Sequence, residues 1–262
     1  MLSRMTRPES SGGQQPASRR IAEVLRSAIQ SGELRPGDRL PSERVLADQY
    51  GAARNTAREA VRLLAEEGLV VAQHGRGVFV REARRLFRFG SDRYARKNRE
   101  TGLTPFRLEA RRQGKSARID VVSIAREMPP RDIAERLDVA PDDLSVVHRE
   151  NHYFADDEPV QVVSTYLRWE EAEGTLLMEA KSGPDGIYGR LEELGHAMTS
   201  IRDEIFARMP TPHETAVLGL PPGVPVLEVL HTSLDQDGRP FEVSRFVHRS
   251  DLTGLTYELP VT

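Results

Sequence analysis

Apolar residues recur at helical spacing near the start of the chain. Ile21, Val24, Leu25, Ala28 and Ile29 form one stripe of a helix that ends near Gly32. Pro36, Gly37 and Pro41 then break the chain, and Ser42 offers an N-cap for a second helix that carries Leu46, Ala47 and Tyr50 on its inner face and stops at Gly51. After a short connection a third helix turns Ala57, Ala60, Val61 and Leu64 inward and Arg54, Asn55, Arg58 and Arg62 outward. Past Gly68 the period changes: LVVAQHGRGVFV reads as two β-prone runs joined by a tip containing Gly75, Arg76 and Gly77. Two short helices, a tight turn and a hairpin over residues 41–80 are the layout of a winged helix-turn-helix.

The remainder alternates strand patterns with short helices. Residues 119–124, 145–154, 160–167 and 199–208 read as strands, and residues 132–137, 186–194 and 212–218 as helices. Residues 224–234 and 239–248 flank a DQDG turn, and ADDEP joins an earlier strand pair; both are hairpin signals. Directly joined hairpins imply antiparallel pairing, so the fold class is α+β, with an antiparallel sheet in the C-terminal part.

At 262 residues the chain has room for two cores. It contains no apolar run long enough to predict a membrane span, and its first 17 residues, rich in Ser, Gly, Gln and Pro, predict a disordered tail without the apolar centre of a signal peptide. The absence of cysteine excludes disulfides and cysteine-based zinc sites and fits a cytoplasmic protein. The net charge of -3 hides an asymmetry, because residues 1–118 hold 25 basic and 13 acidic side chains, giving +12 there and -15 beyond. A polyanion is drawn to the first part and repelled by the second.

Outward guanidinium and amide groups on the third helix suit guanine and adenine edges in the major groove, and His74 and Arg76 at the hairpin tip suit phosphate or the minor groove. The plainer reading, a hairpin that only closes a small helical domain, does not account for the charge split. Residues 18–80, with GELRPGDRLPSERVLADQYG, RNTAREAVRLLAEEGLV and HGRGVFV in order, resemble the DNA-binding domain of the GntR family of bacterial transcription regulators. That resemblance implies DNA contacts at Arg44 in the second helix, at Arg54, Asn55, Thr56 and Arg58 in the third, and at His74, Gly75 and Arg76 in the wing. Two positions depart from the family pattern: Ala53 replaces the usual capping serine and Ala57 the usual valine. Residues 81–103 read as a basic interdomain linker, and residues 104–262 as a second domain.

The second domain resembles the UTRA effector-binding domain of the HutC subfamily, which has a chorismate-lyase-like fold. The matching segments are VVHREN, DDEPVQVVSTYL, IYGRLEELG, ARMPTPHETAVLGLPPGVPVLEV and DGRPFEVSRFVHRSDL. The resemblance implies an effector site at Arg149, Asn151, Ser164, Tyr166, Glu242 and Ser244, and dimerisation through this domain. The family's second strand arginine is Asn151 here and its next-strand glutamate is Val163, so a less charged or more hydrophobic effector than a sugar phosphate is expected. A structural ion pair between Arg149 and Glu242 is the alternative role for those two residues. His148 and His152 on a strand do not make a helical metal face, no nucleophile elbow or phosphate-cradling glycine loop is present, and Lys181 lies in an ordinary loop. No catalytic residue, metal or cofactor is therefore assigned. The expectation is a homodimeric, ligand-responsive regulator, most simply a repressor, that binds an inverted-repeat DNA operator. The alternatives are an enzyme of chorismate-lyase-like fold tethered to DNA and a regulator of plasmid transfer.

Overall fold

The computed structural model describes residues 15–73, 75–81, 86–90, 93–95, 98, 101–181 and 186–259, which divide into two compact units at residue 82. In the first, α1 (Ala17–Gln30), α2 (Glu43–Tyr50) and α3 (Arg54–Glu66) precede a hairpin of β1 (Val70–Gln73) and β2 (Gly77–Val80). The stripe read from the sequence is the buried one: Ile21, Leu25, Leu46, Ala57, Ala60 and Leu64 form the core with Val70 and Val80. Ser42 caps α2 by accepting the Val45 N–H, and Gly51 ends it with φ 61°. Ala53 stands at the N-cap of α3 and offers no side-chain bond. Ala57 is fully buried, so a small side chain lies where α3 meets the core.

The second unit is built on a six-stranded antiparallel sheet, in the spatial order β4-β5-β6-β9-β8-β7. Its strands are β4 (Ala117–Glu127), β5 (Val146–Ala155), β6 (Glu158–Arg168), β7 (Ser200–Arg208), β8 (Val226–Leu234) and β9 (Pro240–Arg249). Asp156 and Asp157, with φ of 52° and 61°, make the two-residue turn between β5 and β6. On one sheet face Val146, Tyr166 and Val243 pack on Ile133 and Leu137 of α5 (Arg131–Leu137), and Val162, Val226 and Val247 on Leu218 of α8 (Pro212–Leu218). The other face meets α4 (Pro105–Arg112), α6 (Trp169–Ala172) and α7 (Gly186–Glu193).

The reading of residues 81–103 as a linker needs correction. Residues 86–89 form β3 (Leu86–Phe89), which pairs in parallel with β10 (Thr253–Thr256). The buried Arg93 and Asn98 also belong to the second unit. The parallel pairing joins residues far apart in sequence, so no local turn signal announces it. Gly90 and Gly254 let it close: a Cβ at Gly90 would lie 2.1 Å from the Tyr257 ring, and one at Gly254 2.6 Å from the Phe87 ring.

The uncapped start of α3 generates a test. Ala53→Ser supplies the missing acceptor and is expected to stabilise the first unit by about 1 kcal/mol, read as a rise in its urea midpoint by circular dichroism.

Candidate nucleic-acid interface and ligand pocket

In the first unit, Arg44, Arg54, Asn55 and Arg58 are exposed and Thr56 is half-buried. The helices bring Arg54 and Arg58 together over one carboxylate. Glu43, the first residue of α2, accepts from Arg58 Nε at 3.0 Å and Nη2 at 3.1 Å, and from Arg54 Nε at 3.4 Å. The Arg58 bond, and then its charge, holds the Glu43 carboxyl below the usual range. Sequence reading missed Glu43 because its partners lie on another helix, outside any i,i+4 relation. Arg62 is occupied within its own helix by Glu59 and Glu66. In the wing, the Arg76 N–H closes the turn onto the Gln73 carbonyl at 3.0 Å, and Gly75 adopts φ 71°. The Arg76 guanidinium lies 5.7 Å from the Phe79 ring centroid, exposed for contact. His74 lies outside the described residues.

In the second unit a cavity of about 500 Å³ opens over the polar sheet face. Antiparallel register aligns Arg149, Thr165, Ser244, His231 and Asp203 in one row across five strands. The next row is Asn151, Val163, Phe246 and Val229. Of the expected effector residues, Arg149, Asn151 and Ser244 line the cavity. Ser164 and Tyr166 do not, and their assignment is corrected: strand alternation sends Val163 and Thr165 into the cavity and turns Ser164 and Tyr166 to the helix-covered face. There Tyr166 stacks on His148 with centroids 4.6 Å apart.

Glu242 is completely buried beneath the cavity and is not part of its lining. It accepts from Ser233 Oγ at 2.6 Å, from Ser244 Oγ, and from the Tyr188 hydroxyl at 3.4 Å. The expected alternative, an Arg149–Glu242 pair, does not describe these contacts: Arg149 Nη1 donates to the carbonyls of Leu177 and Glu179, the latter at 3.0 Å. Burial lowers the pKa of the Arg149 guanidinium from its ordinary value. Burial likewise pushes the Tyr153 hydroxyl up to about 12 and the Tyr188 hydroxyl well above its usual value, so both stay protonated donors.

Beside Glu242 the hydrogen bonds continue across the sheet. His231 Nε2 lies 3.1 Å from Ser233 Oγ, and its Nδ1 lies 2.5 Å from Asp203. Asp203 also accepts from the Tyr257 hydroxyl at 2.7 Å and faces Arg88 of β3 at 3.6 Å. Burial opposes its charge, but His231 and Arg88 win and hold its carboxyl well below the usual range. Asp203, His231 and Ser233 have the connectivity of a nucleophile triad, yet Ser233 is completely buried and its hydroxyl donates to Glu242 instead of His231. Tyr94 joins this chain to the cavity, lining the cavity and stacking on His231 at 5.0 Å. Nothing local in the sequence marks these residues, because cross-strand register assembles them.

Residues 17–80 match the bacterial regulatory proteins of the gntR family, and residues 112–253 match the UTRA domain, more than half of the chain. The chain belongs to the GntR family and carries a UTRA domain. It is 31% identical to the HTH-type transcriptional regulator Rv0792c of Mycobacterium tuberculosis over 96% of this chain and 89% of that protein. It is 29% identical to the HTH-type transcriptional repressor NagR of Bacillus subtilis over 90% and 91% of the two chains. The crystal structure of PhnF from Mycobacterium smegmatis, 26% identical, superposes with a TM-score of 0.56 over 92% of this chain and 99% of that one. The protein is thus a DNA-binding transcription regulator with an effector-binding domain of the HutC-like kind. No helix among the described residues is long and apolar enough to cross a membrane.

His248 gives this unit a pH dependence. It is 1% exposed, and burial, then the charges of Arg88 and Arg93, push its pKa well below the usual value, with Asp203 acting in the opposite sense. The fold therefore keeps it neutral, while the unfolded chain binds a proton below about pH 6.5, so stability is lost as pH falls. Melting between pH 7.5 and 5 should show His248→Gln losing less stability than wild type, by about 1.4 kcal/mol per pH unit below 6.5. Parallel curves would remove His248 from the account.

Proposed function

We propose that this GntR-family regulator is a homodimeric, cytoplasmic repressor that reads an inverted-repeat operator and is released from it by a small molecule bound over the polar face of the UTRA sheet. The observation that carries this reading is the coexistence of exposed Arg54 and Arg58 at the start of α3 with a cavity floored by Arg149, Thr165 and Ser244. Arg44 of α2 and Arg54, Asn55, Thr56 and Arg58 of α3 are assigned to the helices' contact with DNA. His74, Gly75 and Arg76 are assigned to the wing's contact with DNA. Similarity to NagR, which is named a repressor, supports the direction of regulation.

An effector shifts operator affinity only by binding one state of the regulator more tightly than the other, and a swing from 1:99 to 99:1 needs about 5.5 kcal/mol of that difference. Strand β3 is the natural recipient. It is the first strand after the winged unit, and its Arg88 faces Asp203, which holds His231 beneath the cavity-lining Tyr94. A ligand that moves Tyr94 therefore acts on the segment that leads to the DNA-binding unit.

Arg54→Ala and Arg58→Ala are each expected to cost about 1–3 kcal/mol on the cognate operator and to relax specificity at one base pair. Arg76→Ala is expected to weaken all duplexes alike and to lower the salt slope by about one unit, as for a lost phosphate contact. Fluorescence anisotropy on cognate and scrambled duplexes over a salt series separates the two behaviours; unchanged binding in all three variants would overturn the interface.

A further inference from the structure

Several polar groups over the cavity already have partners. Arg149 donates to main-chain carbonyls, the Thr165 and Ser244 hydroxyls lie 2.7 Å apart with Ser244 bonded to Glu242, and Arg93 is ion-paired with Glu109. Asn151 differs. It is 9% exposed, strand alternation turns it to the cavity between Arg149 and Tyr153, and among the described residues its side-chain amide has no hydrogen-bond partner. Its cross-strand neighbours offer none: Val121 stands opposite on β4 and Val163 on β6, with Phe246 next in the row. A buried amide left unpaired costs free energy, so this one, set in an apolar row, is satisfied from the cavity. Two residues along β5, the Tyr153 hydroxyl likewise has no hydrogen-bond partner among the described residues, and burial keeps it a protonated donor.

The amide dictates the chemistry of what meets it. Its Nδ2–H donates and its Oδ1 accepts in one plane, so a group with an acceptor beside a donor takes both bonds, as an adenine edge does from an asparagine in DNA. A carboxylate offers two acceptors and sets one of them against Oδ1; an ammonium offers donors alone. Around the amide, Val121, Val163, Phe246 and Phe106 line the cavity, and Phe106 meets Tyr153 edge to face with centroids 4.9 Å apart. Hydroxyl groups spread over a sugar-like body would lose water against these side chains without finding acceptors, whereas a flat ring buries its faces there.

We infer that the effector is a planar cyclic amide, a ring with an N–H beside its C=O, held by that edge on the Asn151 side chain with the Tyr153 hydroxyl as a second donor to it. This rests on the reading of the cavity as the effector site.

Calorimetry on the full chain with four probes tests it. 2-Quinolone carries the N–H and C=O edge, N-methyl-2-quinolone lacks the donor, naphthalene-2-carboxylate replaces the edge by two acceptors, and glucose 6-phosphate replaces the body. 2-Quinolone is expected to bind at least tenfold more tightly than each of the others. A smaller margin over any of them, or no binding of 2-quinolone, overturns the class. Asn151→Leu, which removes both bonds, should weaken 2-quinolone at least tenfold. Asn151→Asp, which keeps the shape and turns the donor into a second acceptor, should do the same if the leucine variant does not fold. Wild-type affinity in a folded variant overturns the placement. Anisotropy with a duplex selected by the protein from random DNA keeps the two readings apart. Release of that duplex by glucose 6-phosphate, lost in the Asn151 variant, would leave the cavity as the effector site and remove the ligand class. Tight 2-quinolone binding that the variant loses, with duplex affinity unchanged by the ligand, would keep the class and remove the effector role.

Discussion

Two carboxylates on the cavity face of the sheet have to be paired. Glu242 is completely buried and Asp203 nearly so. An unpaired charge at such depth costs several kcal/mol, so their partners are structural requirements. Those partners come from far apart in the chain: Ser233 and His231 on β8, Ser244 on β9, Tyr188 on α7, Arg88 on β3 and Tyr257 after β10. Satisfying two buried acids thereby fixes the cavity floor, one of its walls and the first strand after the winged unit in a single network.

The two sheet faces consequently do different work. The face against α5 and α8 combines valine, leucine and isoleucine packing with ion pairs to those helices, among them Arg136–Glu204, Arg245–Asp132 and Arg208–Glu214. The cavity face holds hydrogen-bonded groups whose geometry is directional, and loss of one partner leaves another unsatisfied. A ligand that alters Ser244 or Tyr94 therefore meets a network with few alternative arrangements, which is the kind of element a regulatory equilibrium needs.

The winged unit follows a different logic. Arg44, Arg54 and Arg58 are exposed, and exposed ion pairs contribute only about 0–1 kcal/mol. Glu43 thus holds Arg54 and Arg58 side by side at the start of α3 through weak, solvent-facing pairs. The orientation of these two side chains is set by an acid on the neighbouring helix, a weak constraint.

Local periodicity was enough for the elements. The stripe from Ile21 to Ala28, the Ser42 cap, the Gly51 stop and the hairpin turns at Asp156–Asp157 and Gly238 depend on neighbours a few positions away, and all were legible in the sequence. Family motifs added Arg149, Asn151 and Ser244 as cavity residues. Ser164 and Tyr166 keep the two-residue period of a strand but stand on the face opposite Val163 and Thr165, which line the cavity. Only the tertiary structure decided the rest. Strand register aligned His231 and Asp203 with Arg149, a parallel bridge to Thr253–Thr256 drew β3 out of the presumed linker, and helix packing placed Glu43 over two arginines. Each of these depends on contacts between distant segments, and a local pattern carries no information about which distant segment will arrive.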